Sequence, residues 1–124
     1  MTFLEAKKIF NVWKKWYWPT HFALEAVLPK IPKSFLPYPE EVLEEALTII
    51  AKYYFDKGDK KTSERIQASF ASIIGKYSDD EEALLEASKT FSNPVMREAV
   101  HMFIANYKRD FEEWRIKEEA TITK

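Results

Sequence analysis

Along residues 39 to 58, PEEVLEEALTIIAKYYFDKG, apolar side chains recur at Val42, Leu43, Ala46, Leu47, Ile49, Ile50, Tyr53 and Tyr54. This is the 3.6-residue period of an α-helix, and the apolar arc is wider than a two-helix seam requires. Pro39 suits a first helical position, Glu40, Glu41, Glu44 and Glu45 complement the positive end of the helix dipole, and Gly58 supplies a stop. A helix apolar over so much of its circumference needs several neighbours. The pattern therefore predicts it at the centre of an all-α domain.

The rest of the chain supplies those neighbours. Residues 2 to 18, TFLEAKKIFNVWKKWYW, predict an amphipathic helix capped by Thr2 and ended by Pro19. Phe3, Ala6, Ile9, Phe10, Val12, Trp13, Trp16 and Tyr17 share one side, and Lys7, Lys8, Asn11, Lys14 and Lys15 the other; Leu4 and Trp18 break the pattern by projecting among the lysines. A short helix is predicted over 20–28, limited by Pro29. The connector 29–39 holds Pro29, Pro32, Pro37 and Pro39, which prevent regular helix. Its Ile31, Phe35, Leu36 and Tyr38 are too apolar for a floppy linker, so it is expected to lie across the domain surface and pack there.

A further helix is predicted from Thr62 to Tyr77 on the spacing of Ile66, Phe70, Ile73, Ile74 and Tyr77, with the small Ala68, Ser69, Ala71 and Ser72 suiting close packing on the central helix. Ser78-Asp79-Asp80-Glu81 reads as a capping box that opens the next helix, ending near Phe91. Asn93-Pro94 opens the last, whose apolar face runs through Met96, Val100, Phe103, Ile104, Tyr107, Phe111 and Trp114. From Pro94 to Glu119 it would span about 39 Å at 1.5 Å per residue. That is longer than its neighbours can cover, so its end is expected to project, with residues 120–124 as a frayed tail. The expected architecture is a single all-α domain over 1–124 with five to six helices, bundle-like or orthogonal: a basic aromatic helix 2–18, the connector 29–39 and a helical core 39–119.

Composition adds three constraints. Aromatic residues make up 15% of the chain, a heavy load that implies either an aromatic core or rings facing a partner. The net charge of −1 hides an asymmetry. Residues 1–38 carry six lysines against Glu5 and Glu25, a balance of +4, while the remainder holds 13 basic and 18 acidic side chains of the totals of 19 and 20, a balance of −5. Such a division fits an anionic partner, or attraction between the two parts within the fold or between subunits. The absence of cysteine removes disulfides, thiol nucleophiles and cysteine metal sites. Glu5, Lys7 and Lys8 interrupt any secretory apolar run, and no stretch of about eighteen apolar residues exists to span a membrane, so a cytoplasmic location is expected. Abundant Lys and Glu with a single Gln lean toward a thermophile.

Motifs that would carry chemistry are thin. Glu98 and His101 have the Glu-x-x-His spacing of carboxylate-bridged di-metal bundles, but no second copy exists and His101 falls on the side of the last helix bearing Arg97, Lys108, Glu112 and Arg115. The acidic clusters at residues 40–45 and 79–82 sit at helix starts, where they serve the dipole. Two glycines in the whole chain leave no phosphate loop. No catalytic constellation, cofactor site or metal site is identified. The functional expectation is a non-enzymatic helical interaction or structural protein acting through self-association or a protein partner. Leu4, Lys7, Lys8, Lys14, Lys15 and Trp18 are the candidate partner surface, and Phe111 and Trp114 the candidate self-association surface. The alternative is a small nucleic-acid-binding module in which those lysines contact phosphates and the rings stack on bases. Contact with a membrane surface ranks below both.

Overall fold

A computed structural model describes residues 1–90 and 93–122, the side chains of Trp18, Val27 and Ile122 excepted. It is all-α, with helices α1 (Phe3–Trp16), α2 (Phe22–Val27), α3 (Glu40–Asp56), α4 (Lys60–Ile74), α5 (Asp80–Thr90) and α6 (Pro94–Ile122). The central position predicted for the 39–58 segment is observed. α1 and α4 both pack along α3, which buries Leu43, Ala46, Leu47, Ile50 and Ala51. Pro39 stands one position outside the helix, its carbonyl accepting from the Leu43 amide at 3.0 Å. Gly58 adopts φ +88°, the left-handed conformation that ends a helix cheaply only at glycine. Asp59 then caps α4, accepting from the Thr62 amide at 3.1 Å and from the Thr62 hydroxyl at 2.7 Å.

Pro19 does not end the first helix. The chain passes through it in a π-helical turn, Tyr17–His21, and continues directly as α2. Proline lacks an N–H and its ring crowds the carbonyl four residues back; a wider turn relieves that clash without breaking the rod. The consequence is a change of register. Buried positions run Ala6, Ile9, Val12, Trp13 and Trp16, then resume five residues on at His21, followed by Leu24 and Leu28.

The proline-rich connector also differs from expectation, since it enters the core instead of lying over it. Ile31, Pro32, Phe35, Leu36, Pro37 and Tyr38 are all buried, with Phe35 fully so. Ile31 and Pro32 form strand β1, which pairs in parallel with β2 (Tyr77–Ser78), and Lys33–Phe35 make a single 3-10 turn. Pairing there takes Tyr77 out of α4 and Ser78 out of the capping role, which Asp79 fills by accepting from the Glu82 amide at 2.7 Å. The end near Phe91 expected for this helix lies outside the described residues.

The last helix is long, as predicted, but it is the beginning that stands clear and not the end. Near its C-terminus the Tyr38 hydroxyl donates to Glu119, Arg115 lies over the Tyr38 ring at 5.1 Å, and Lys15 pairs with Glu118 at 2.5 Å. Residues 120–122 continue the helix; 123 and 124 of the expected tail lie outside the described residues. The charge asymmetry of the chain is partly consumed inside the fold by Lys15–Glu118, Lys30–Glu82 and Lys33–Glu40.

Candidate functional site

The candidate residues of the basic first helix are not brought to one place. Leu4 is 55% exposed, and Lys7 and Lys14 are exposed. Lys14 extends over the Phe10 ring at 5.1 Å and lines a groove between α1 and α4. Lys15, one residue on and therefore about 100° around the helix, reaches the opposite flank and α6. Lys8 is half-buried. The side chain of Trp18 lies outside the described residues; its backbone belongs to the π-helical turn. The remaining tryptophans of α1, Trp13 and Trp16, are core residues at 3% and 0% exposure and offer no free face to a base.

Phe111 and Trp114 are half-buried and packed on the core, their ring centroids 5.6 Å apart, with Phe111 stacked on Tyr107 at 5.9 Å. They form one wall of a furrow of about 460 Å³ whose other wall is Lys15, Pro19 and Thr20. The two residues that the sequence offered as a self-association surface are therefore partly packed on the core. The apolar residues left outside lie further up α6. From Asn93 to Phe103 every residue except Val100 is exposed, including Val95, Met96, Met102 and Phe103. Leu85, on α5 against which α6 packs, is exposed as well.

One polar cluster escaped sequence reasoning. His21 is 1% exposed, enclosed by the rings of Trp16, Tyr17, Phe22 and Tyr77 at centroid distances of 5.2 to 6.1 Å. Its Nδ1 lies 3.1 Å from the Tyr77 hydroxyl and its Nε2 lies 3.4 Å from Glu25 Oε2, while Lys76 donates to Glu25 Oε1 at 2.7 Å. A carboxylate only accepts, so the tautomer that satisfies both neighbours carries its proton on Nε2 and accepts the Tyr77 proton at Nδ1. Burial pushes the Tyr77 hydroxyl well above its ordinary range, so it stays a donor. The signal that could have found this site is the five-residue gap between Trp16 and His21, which matches a π turn and not an α turn.

Burial also lowers the His21 pKa, the Lys76 ammonium adding to the effect and Glu25 opposing it. The folded state thus favours neutral imidazole, and the unfolded chain binds the proton more readily. This contribution to stability is complete above the ordinary histidine value of about 6.5 and is lost as pH falls through it toward the lowered folded value. Urea midpoints should accordingly fall between pH 7.5 and pH 5.5, a window above the titration of the carboxylates. His21→Phe should flatten that slope; an unchanged slope would show that His21 does not carry it. Because solvent hardly reaches the ring, the cluster reads as a clamp between the π turn and the β1–β2 pair, not as a proton-transfer centre.

His101 is exposed on α6. Among the described residues no three His, Asp or Glu side chains converge in a metal-sized group, and no helix is long and apolar enough to cross a membrane. Comparisons of this chain with protein-family models, with curated proteins and with solved structures find no match.

Proposed function

We propose that this protein is a non-enzymatic interaction protein that associates with copies of itself through the leading half of α6. The observation that carries the reading is the exposed run Asn93–Phe103, in which Val95, Met96, Met102 and Phe103 face water at the start of a 29-residue helix. Helical turns without tertiary packing are marginal in water, so these turns gain most from a partner that covers them. Methionines suit such a surface because their flexible side chains adapt to the opposing shape. A two-fold pair, in which the same stretch of two copies meets itself, would shelter both at once.

Light scattering on a size-exclusion column tests this. The native chain is expected to elute as a salt-resistant dimer or larger species. Met102→Glu with Phe103→Glu should weaken association by roughly 30-fold or more, about 2 kcal/mol, the scale of a central interface residue, with helix content unchanged. A native chain that remains a monomer at high concentration overturns the proposal. A monomer that carries an oligonucleotide at low salt, and loses it on charge reversal at Lys7, Lys8 and Lys14, would support the nucleic-acid alternative instead.

A further inference from the structure

α1 and α4 each pack on α3, and a groove of about 730 Å³ is lined by residues of both. Both walls are helical stripes. Phe10, Trp13 and Lys14 on α1 and Tyr17 at the start of the π-helical turn stand at i, i+3, i+4 and i+7, and Thr62, Arg65, Ile66 and Ser69 repeat that spacing on α4. The small residues that the sequence suggested would pack on α3 face outward here: Ala68, Ala71 and Ser72 are exposed, and Ala68 and Ser69 line the groove.

We infer that this groove is the docking site for an acidic amphipathic helix of a partner protein, two to three turns long. Each stripe covers seven residues of rise, about 10 Å at 1.5 Å per residue, so the groove accommodates successive apolar knobs of a helix laid along it. The floor is aromatic and aliphatic, and the small residues of α4 let a helix backbone approach closely. Charge selects the sign of the partner. The lining carries two cations, Lys14 and Arg65, and no carboxylate. Asp59, the acid whose charge is felt from Arg65, is engaged in capping α4 through Thr62. The groove is open to solvent, whereas small-molecule sites bury roughly 70–90% of their ligand, so a protein segment fits better than a small molecule.

A second copy fits less well, because many acids at the starts of this chain's own helices are engaged. Glu40 pairs with Lys33, Glu45 with the N-terminal ammonium, Asp80 with Lys108 and Glu82 with Lys30. The site is separate from the α6 surface and does not depend on the self-association proposed above.

Fluorescence polarisation with two synthetic 15-residue helices tests the inference, one with leucines at i, i+3, i+4, i+7 and glutamates elsewhere, the other with lysines replacing the glutamates. The experiment is run on the native chain and on the Met102→Glu, Phe103→Glu variant, so that failure of self-association and failure of docking read out separately. The acidic helix should bind both, tenfold or more tighter than the basic helix, with affinity falling at high salt. Lys14→Glu with Arg65→Glu, both exposed positions, should reverse the preference at unchanged helix content. Equal binding of the acidic helix by the charge-reversed protein, or no binding at all, would overturn the inference. A peptide of residues 79–90 that binds more tightly than the designed acidic helix would also overturn it, in favour of a second copy.

Discussion

Phe35→Ala is expected to destabilise the fold by about 3–5 kcal/mol, the range for truncating a fully buried aromatic side chain. Phe35 sits in the connector, yet it has no exposed surface, and its ring centroid lies 4.2 Å from that of Tyr107 on α6. Truncation would empty the space between connector and α6, and neither side can easily collapse into it. The connector is pinned by the β1–β2 pair before Phe35, by Tyr38–Glu119 after it, and by the Ser34 amide donating to Asp80 at 3.1 Å. Native domains are stable by only about 5–15 kcal/mol, so a loss of this size would be visible as a large drop in the urea midpoint. A cost within about 0.5 kcal/mol, the usual range for surface substitutions, would instead place the connector on the surface.

Trp16→Ala should cost a similar amount, about 3–5 kcal/mol, through a different route. Trp16 is fully buried, packs within 6.3 Å of the Trp13, His21 and Tyr77 rings, and donates its indole N–H to the Tyr107 hydroxyl at 3.1 Å. Burial pushes that hydroxyl up to about 12, so it remains protonated and able to accept across the usual pH range. Trp16→Phe separates the two contributions: it keeps much of the packing and loses the hydrogen bond, worth about 0.5–1.5 kcal/mol. Because Phe35 and Trp16 meet at Tyr107, their effects are not expected to add. A double-mutant cycle in urea should show coupling of about 0.5 kcal/mol or more, and strict additivity would mean that Tyr107 does not join the two sides.

The candidate sites were legible in the sequence only where one element carries them. Lys14 and Phe10 are four residues apart on one helix, and their proximity follows from helical geometry. Arg65, which shares the groove with Lys14, belongs to α4, and nothing in the spacing along the chain joins the two. The lysines of α1 look like one patch on a wheel, yet Lys14 and Lys15 serve opposite flanks because α4 and α6 lie on different sides of α1. Phe111 and Trp114 read as surplus apolar area until the folded core covers part of each.

The elements themselves follow from local physics. Helical period, Thr2 as a cap, acidic first turns and Gly58 as a stop all act within a few residues, so the all-α class, the central α3 and the long α6 were readable from the chain alone. Tertiary structure decided what proline does. At Pro19 the packing of Trp16 and His21 on Tyr77 favours a wider helical turn over a break, and at Pro32 a parallel pairing with Ser78 draws the connector inward. Proline forbids one hydrogen bond and restricts one angle, which narrows the local choices but does not rank them. The ranking comes from burying Phe35, Tyr38 and His21 against residues 56 to 81 positions away in the chain. Only the folded chain brings those partners together.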